Sequence, residues 1–357
     1  MSLWQHFPYI NNTIKSSIVG SNEELHTINI KETSFKLNTA NYQLDKSAHN
    51  ILPSIMSAIG NTPLVRMQNL IHKYQCGADI LGKLEYFNPM SSTKDRPAKA
   101  MIEALISSKA FHSNTQIIEA TSGNNGVSCA WICAMYNIPL TIVIPEHMSI
   151  ERQKMIKHFG AKVITTAKEL GTKGAIDLAK SLVNSTPNAV SLDQFGNSAN
   201  PLAHANGTAQ EIWRDTAGNA DIFVAGVGTG GSITGVGSAL KQYNPAIKIM
   251  AVEPSNSPVL SKGIKGVHKI QGLSSGHVPD VLNLNIIDEI MTIEDNQAIE
   301  MARELALLEG MAVGISSGAT VSAAIKLAQQ PENAEKQIVV ILADTAERYY
   351  STELFNE

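Results

Sequence analysis

Ile222-Phe-Val-Ala-Gly226-Val-Gly228-Thr-Gly230-Gly231-Ser232 is the stretch on which the fold turns. Its first half is a short run of apolar residues without polar alternation, as expected of a strand covered on both faces. Its second half is a glycine-rich turn that opens a helix. Consecutive glycines let a backbone approach an anion closely, and the free amides and dipole at a helix start hold phosphate without lysine or arginine. Two other readings fit the same residues. Gly226, Gly228 and Gly231 satisfy G-x-G-x-x-G and Glu253 ends the next strand, which is formally a dinucleotide fingerprint. A tight packing turn would need no ligand at all.

Working outward, the same strand–turn–helix unit recurs from about Ser54 onward. The spacing predicts strands at 79–85, 116–120, 140–144, 162–166, 190–192, 222–227, 247–252, 287–292 and 337–342. Between them it predicts helices at 95–107, 125–136, 150–159, 173–183, 201–214, 232–242, 295–308 and 318–329. Ile338-Val-Val-Ile-Leu342 is apolar on both strand faces, which suits a parallel sheet covered by helices. The expected class is α/β, with ligands at the carboxyl ends of strands. So many strands are better divided between two open twisted lobes, with the active site in the cleft between them. The first fifty residues read as a polar extension lying on the surface or on a partner subunit.

Composition removes several function classes. The 357 residues are 43% hydrophobic and 17% charged, enough apolar material for large cores. With net charge −4 and no basic block, nucleic acid is a poor partner. Ala120–Pro145 and Ile222–Leu240 carry no charge, but Gly, Asn and Pro interrupt them, and no membrane span is expected. The first fifty residues, with no arginine and four acidic residues, resemble neither a signal nor a transit peptide. Three cysteines exclude a disulfide scaffold and suit the cytoplasm. Cys129 and Cys133 share a helical face without further metal ligands and read as core, and there is no G-x-S-x-G elbow. Metal hydrolysis and serine-nucleophile chemistry drop out.

Three further loops carry chemistry. In Asn88-Pro-Met-Ser-Ser-Thr-Lys94-Asp-Arg-Pro97 a lysine opens a helix. The dipole and burial both lower its pKa, as a Schiff-base lysine needs, although a solvated first-turn lysine paired with an acid would look the same. Asp95, Arg96 and Glu85 read as structural. Thr121-Ser122-Gly123-Asn124-Asn125-Gly126 is either a carboxylate cradle or an ordinary capping loop. Gly314-Ile-Ser316-Ser317-Gly318 sets hydroxyls before a helix.

Together and in this order these loops resemble the cysteine synthase and cystathionine β-synthase family, the fold type II enzymes dependent on pyridoxal 5′-phosphate. The matching motifs run from Ile59-Gly-Asn-Thr-Pro-Leu-Val-Arg66 through Ser92-Thr-Lys94-Asp-Arg96, Thr121-Ser-Gly-Asn124, Ser149-Ile-Glu-Arg152, Gly228-Thr-Gly-Gly-Ser232, His268-Lys-Ile-Gln-Gly272 and Gly314-Ile-Ser-Ser-Gly318 to Glu347-Arg-Tyr349. The resemblance implies that Lys94 forms the Schiff base and moves the substrate α-proton. It gives the cofactor's phenolic oxygen to Asn124, its phosphate to Gly228, Thr229, Gly230, Gly231 and Ser232, and its pyridine nitrogen to Ser316. Thr121, Ser122, Asn125 and Gln194 take the substrate carboxylate. The implied reaction is β-replacement on an O-activated L-serine, O-acetyl-L-serine favoured, through an aminoacrylate. Sulfide as the nucleophile gives L-cysteine.

The resemblance also implies a larger lobe of residues 51–87 and 199–357, a smaller mobile lobe of 88–198, a homodimer, and docking of the serine acetyltransferase C-terminal tail in the cleft. Several positions depart from the usual pattern. Asn125 replaces a threonine, Met90, Thr93 and Pro97 differ around the lysine, and Ala343-Asp-Thr-Ala346 puts a carboxylate near the ring nitrogen. They leave open an amino-acid nucleophile, as in diaminopropionate-precursor or cystathionine synthesis, or O-phosphoserine as the donor. From other classes, a catalytically silent binding module and an NAD-dependent oxidoreductase stand as rivals.

Overall fold

The structure, a computed structural model of the chain, describes residues 25–30, 33–38, 51–121, 123–146 and 148–356. The chain divides into two compact units, Met1–Leu52 and Pro53–Glu357. In the first, β1 (Leu25–Ile30) and β2 (Thr33–Asn38) pair antiparallel, Leu25 opposite Asn38 and Ile30 opposite Thr33. The reading of that stretch as a polar extension named no strands in it. The sequence signal was the two-residue alternation of Ile28 with Ile30 and of Phe35 with Leu37. The rest of the extension, and hence its expected placement, lies outside the described residues.

In the second unit the elements run β3 (Leu64–Arg66), α1 (Gln68–Lys73), β4 (Asp79–Leu84), α2 (Asp95–Ile106), β5 (Gln116–Ala120), α3 (Asn124–Tyr136), β6 (Leu140–Pro145), α4 (Ile150–His158), β7 (Lys162–Thr166), α5 (Gly171–Ser185) and β8 (Ala189–Val190). They continue through α6 (Ala199–Ala203), α7 (Ala209–Asp215), β9 (Ile222–Gly226), α8 (Gly231–Tyr243), β10 (Lys248–Pro254), α9 (Val259–Lys262), β11 (Glu289–Ile293), α10 (Asp295–Glu309), α11 (Ile315–Ala328) and β12 (Gln337–Leu342). The nine expected strands and eight expected helical segments are all present. The additions β3, α1 and α9 are too short to show a period. A π-helical turn, His204–Thr208, splits the helix expected at 201–214 into α6 and α7.

The strands form two sheets, in the orders β11-β10-β9-β12-β4-β3 and β7-β6-β5-β8. All neighbours are parallel except β3, which is an antiparallel edge on β4. Burial explains the unbroken apolar runs. In β9, Val224 joins Val340 and Ile80 in one core with α10 and α11, while its neighbour Phe223 joins Val339 and Leu81 in a second core with α7 and α8. Successive side chains point to opposite faces, and both faces are covered. The smaller sheet repeats this: Ile117 and Ile142 pack with α2 and α3, and Ile118 and Val143 pack with α5.

Strand order also places the site. From β9 the chain passes to its neighbour β10, whereas the neighbour on the other side, β12, is the last strand formed. The loops leaving β9 and β12 therefore diverge and open a crevice at their carboxyl ends. In the smaller sheet β5 is flanked in the same way by β6 and β8.

Candidate active site

Loops from both switch points line one cavity of about 260 Å³. From the ends of β4, β5 and β8 come Thr93 and Lys94, Thr121, Asn124 and Asn125, and Gln194. From the ends of β9 and β12 come Gly228, Thr229 and Ser232, and Ala343 and Asp344. Ser316 enters from the first turn of α11, which starts at Ile315, so the serine lies inside the helix rather than before it. Gly230 and Gly231 shape the turn without lining the cavity. Gly230 caps α8 in the left-handed region, at φ 81°. Ser122 lies outside the described residues.

Lys94 caps α2, and the segment before it is held against the end of β12 by a bridge between Ser92 and Asp344 and by Thr93 N–H donating to Ala343 O at 2.9 Å. The lysine keeps some surface open to the cavity but is otherwise enclosed by protein. Burial pushes its pKa below the ordinary lysine value, against the opposing pull of Asp344 and Glu85.

The glycine turn is built for close approach. A Cβ on Gly228 would collide with the Gly272 carbonyl oxygen, and one on Gly231 with the Asn200 side chain. Asn200 Nδ2 donates to Thr229 Oγ1 at 3.1 Å and to Gln194 O at 2.7 Å, tying the turn to the loop after β8. His204 in the π-helical turn meets Ser232 Oγ through Nε2 at 3.1 Å and Thr208 Oγ1 through Nδ1 at 3.0 Å. Burial lowers its pKa to about 3, so the imidazole behind the turn is neutral.

Asn124 sits at a polar hub. Its Oδ1 accepts from Arg152 Nε at 3.2 Å and Arg348 Nη1 at 3.0 Å, and its Nδ2 donates to Asp344 Oδ2 at 2.6 Å. Tyr349 donates to the same Asp344 oxygen at 2.8 Å, and Arg152 lies over the Tyr349 ring. Arg152 also donates to Gln271 Oε1 at 2.8 Å. Among the described residues, buried Asn125 has no partner for either side-chain polar atom, and buried Thr93 has none for Oγ1. A protein rarely buries such groups unsatisfied unless a ligand meets them.

Of the residues lining the cavity, the sequence singled out Lys94, Thr121, Asn124, Asn125, Gln194, Gly228, Thr229, Ser232 and Ser316 as site candidates, but it gave no role to Arg152, Tyr349, Asn200, His204 or Glu119. Glu119, at the end of β5, accepts from the backbone amides of Leu192, Asp193 and Gln194 and from Ser191 Oγ, and so braces the Gln194 loop. Its one sequence signal is a carboxylate inside an apolar strand. Glu253, the acid that completed the dinucleotide pattern, accepts from Leu260 N, Ser261 N and Ser261 Oγ at the start of α9. It is committed there, and the oxidoreductase reading loses its ribose partner.

The lowered lysine, the cation-free glycine cradle and the unpartnered polar groups fit pyridoxal 5′-phosphate. What fold and site define is a two-sheet α/β enzyme with a lysine in its cleft. The model of the pyridoxal-phosphate dependent enzyme family matches residues 55–344, and the chain belongs to that family. Cysteine synthase B of Campylobacter jejuni is 48% identical over 84% of this chain and 98% of its own. The crystal structure of O-acetylserine sulfhydrylase isoform 3 from Entamoeba histolytica is 42% identical, with TM-score 0.82 over 86% of this chain and 92% of that one. An O-acetylserine dependent cystathionine β-synthase from Helicobacter pylori is 35% identical, with TM-score 0.80 over 86% of this chain and 100% of that one. The architecture is that of the fold type II enzymes, and the cofactor is pyridoxal 5′-phosphate.

Proposed function

We propose that the chain is a cysteine synthase, replacing the acetoxy group of O-acetyl-L-serine by sulfide to give L-cysteine. The observation that carries this is the convergence of Lys94, the Thr121–Asn125 loop and the Gly228–Ser232 turn on one cavity, in a chain closely similar to cysteine synthases along most of its length.

Lys94 would hold the cofactor, Asn124 its phenolic oxygen, Gly228 to Ser232 its phosphate and Ser316 its ring nitrogen. When bound, the cofactor supplies the electron sink that makes an amino-acid α-proton removable. Thr121, Ser122, Asn125 and Gln194 hold the substrate carboxylate, helped by the amides opening α3. The Lys94 amine, whose pKa burial lowers, takes the α-proton while acetate leaves the β-carbon. Sulfide then attacks that carbon, and Lys94 returns the proton. Movement of a smaller lobe, residues 88–198, onto a larger one, 51–87 and 199–357, closes the carboxylate loop and excludes water. The division is supported by β5 to β8 forming one sheet and β3, β4 and β9 to β12 the other.

No described helix is long and apolar enough to cross a membrane. The three cysteines are unpaired, which supports the cytoplasm. A homodimer and docking of the serine acetyltransferase tail complete the reading. They are tested by sedimentation and by competition between substrate and a peptide ending in isoleucine.

The deciding experiment is a visible absorption spectrum before and after addition of O-acetyl-L-serine. A cofactor band that shifts, followed by cysteine release on adding sulfide, is the expected outcome. A coloured protein indifferent to O-acetylserine would move the donor to O-phosphoserine. One that shifts but ignores sulfide would move the nucleophile to an amino acid. A protein that pyridoxal phosphate cannot colour would overturn the reading.

A further inference from the structure

Asp344 lies in the Ala343–Ala346 segment that departs from the family's usual pattern, and the proposed reaction gives it nothing to do. It is 1% exposed and lines the cavity. Its Oδ2 accepts from Asn124 and Tyr349, yet its Oδ1 has no partner among the described residues, being pressed toward Gly314, where a Cβ would collide with it. A buried carboxylate oxygen left unmatched is costly, and a carboxylate kept at that cost needs an explanation.

The explanation lies in the amide that it faces. A side-chain amide has one oxygen and two N–H groups. The Asn124 oxygen receives two guanidinium donors, from Arg152 and Arg348, and one of its N–H groups goes to Asp344. Turning the amide over would set its NH2 against two cations and its oxygen against a carboxylate. The orientation is therefore fixed by charge on both sides, and one N–H of this cavity-lining residue has no partner among the described residues. An N–H is what a phenolic oxygen accepts from.

We propose that Asp344 is a positioning residue that, together with Arg152 and Arg348, locks the Asn124 amide with its free N–H presented to the cofactor. The proposal rests on the assignment of pyridoxal phosphate to this cavity. Arg348 also donates to Met90 O, which anchors the cationic half of the lock to the loop before Lys94.

The test is a double-mutant cycle read by cofactor binding rather than turnover: Asp344→Ala, Asn124→Ala and the double variant, each apoprotein titrated with pyridoxal phosphate and its visible band recorded. Asp344→Ala should weaken binding roughly tenfold, the scale of a lost charge-assisted hydrogen bond, and move the band in the same direction as Asn124→Ala. In the Asn124→Ala background the same change should add less than about twofold, because its target is gone. Asp344→Asn keeps an acceptor for Asn124 and should recover affinity to within about threefold of the parent. A full tenfold effect persisting without Asn124, or no effect of Asp344→Ala at all, overturns the proposal. If the parent protein itself takes up no cofactor, the functional reading falls instead. Should Asp344→Ala fail to fold, the cycle is run with Arg152→Ala, which removes a donor from the other side of the same amide, and is judged by the same loss of effect without Asn124.

Discussion

Two buried clusters of charge act on Lys94, and they are built differently. In the first, Arg96 grips Glu85 at 2.7 and 2.8 Å and Glu211 at 2.7 and 2.8 Å, while Lys83 adds 2.8 Å to Glu211 and 2.6 Å to Thr62 O. Thr62 and Asn88 complete the set, and each carboxylate oxygen of Glu85 and Glu211 has at least one donor. In the second, around Asn124, the closest approach of Arg152 to Asp344 is 3.8 Å and one Asp344 oxygen has no partner. Closed charge holds a scaffold together. Open charge faces a ligand. Burial opposes ionisation of Glu85, but Arg96 overrides it and holds the carboxyl below its ordinary pKa.

Lys94 lies between these clusters, and its removal gives the largest expected effect. Lys94→Ala should cost at least about a thousandfold in cysteine formation, since it removes the amine that moves the α-proton. With both proteins free of cofactor, its unfolding midpoint should stay at or above the parent's, because a desolvated amine is a burden on the fold. Retention of near-normal synthesis would refute the mechanism.

The clusters themselves should part company when each loses its arginine. Arg96→Ala leaves Glu85 buried without a counter-charge and Glu211 with Lys83 alone, and should cost about 3–5 kcal/mol in urea unfolding. Arg96→Lys should recover little, since a single ammonium cannot serve two carboxylates through a planar fork. Arg152→Ala removes bonds to two neutral amides and a long ion pair, and should cost no more than about 2 kcal/mol. Equal losses for the two alanine variants would erase the distinction.

Acid should separate the closed cluster from the histidine beside it. The Glu211 carboxyl, which burial raises but Arg96 lowers further, falls to about 2. This is below its unfolded value, so its stabilisation is present above about pH 4.3 and is lost as pH falls toward 2. His204 loses its contribution earlier. Its folded pKa of about 3 lies below the unfolded value near 6.5, so the unfolded chain takes up a proton first and stability declines from about pH 6.5 downward. His204→Asn should flatten the fall in melting temperature between pH 6.5 and 5 and leave the steeper fall below pH 4 in place. An unchanged slope above pH 5 would show that this histidine is not buried neutral.

Legibility in the sequence followed the same division. The sheets could be read because their strands are apolar on both faces. The catalytic loops could be read because, although each alone also fits a cap or a turn, together and in order they resemble one family. The bonds between distant segments could not. Arg152 meets Gln271 across 119 residues and Arg348 meets Asn124 across 224, and nothing local marks either pairing. The π-helical turn escaped too, since Pro201–Arg214 carries an ordinary helical period. Only the fold shows that His204 must reach both Thr208 and Ser232.

Asp95 gives the smallest effect and the finest test of how a charge next to Lys94 is held. Its Oδ2 accepts from Met90 N at 2.7 Å and its Oδ1 from Ser128 Oγ at 2.6 Å, with no cation within ion-pair distance among the described residues. Burial outweighs these bonds and lifts its pKa to about 6. The folded state thus binds a proton more tightly than the unfolded chain, whose carboxyl titrates near 3.9, and stability declines as pH rises from about 4 to 6. Asp95→Asn should remove that decline. An asparagine oxygen can take the Met90 amide while its NH2 donates to Ser128, whose hydroxyl turns to accept, so the fold has little to lose. Between pH 4 and 7 the variant should gain on the order of 1–2 kcal/mol relative to the parent in urea unfolding. A parallel pH profile for the two proteins would mean that Asp95 is ionised at little cost, as Glu85 and Glu211 are, and would move it into the closed cluster.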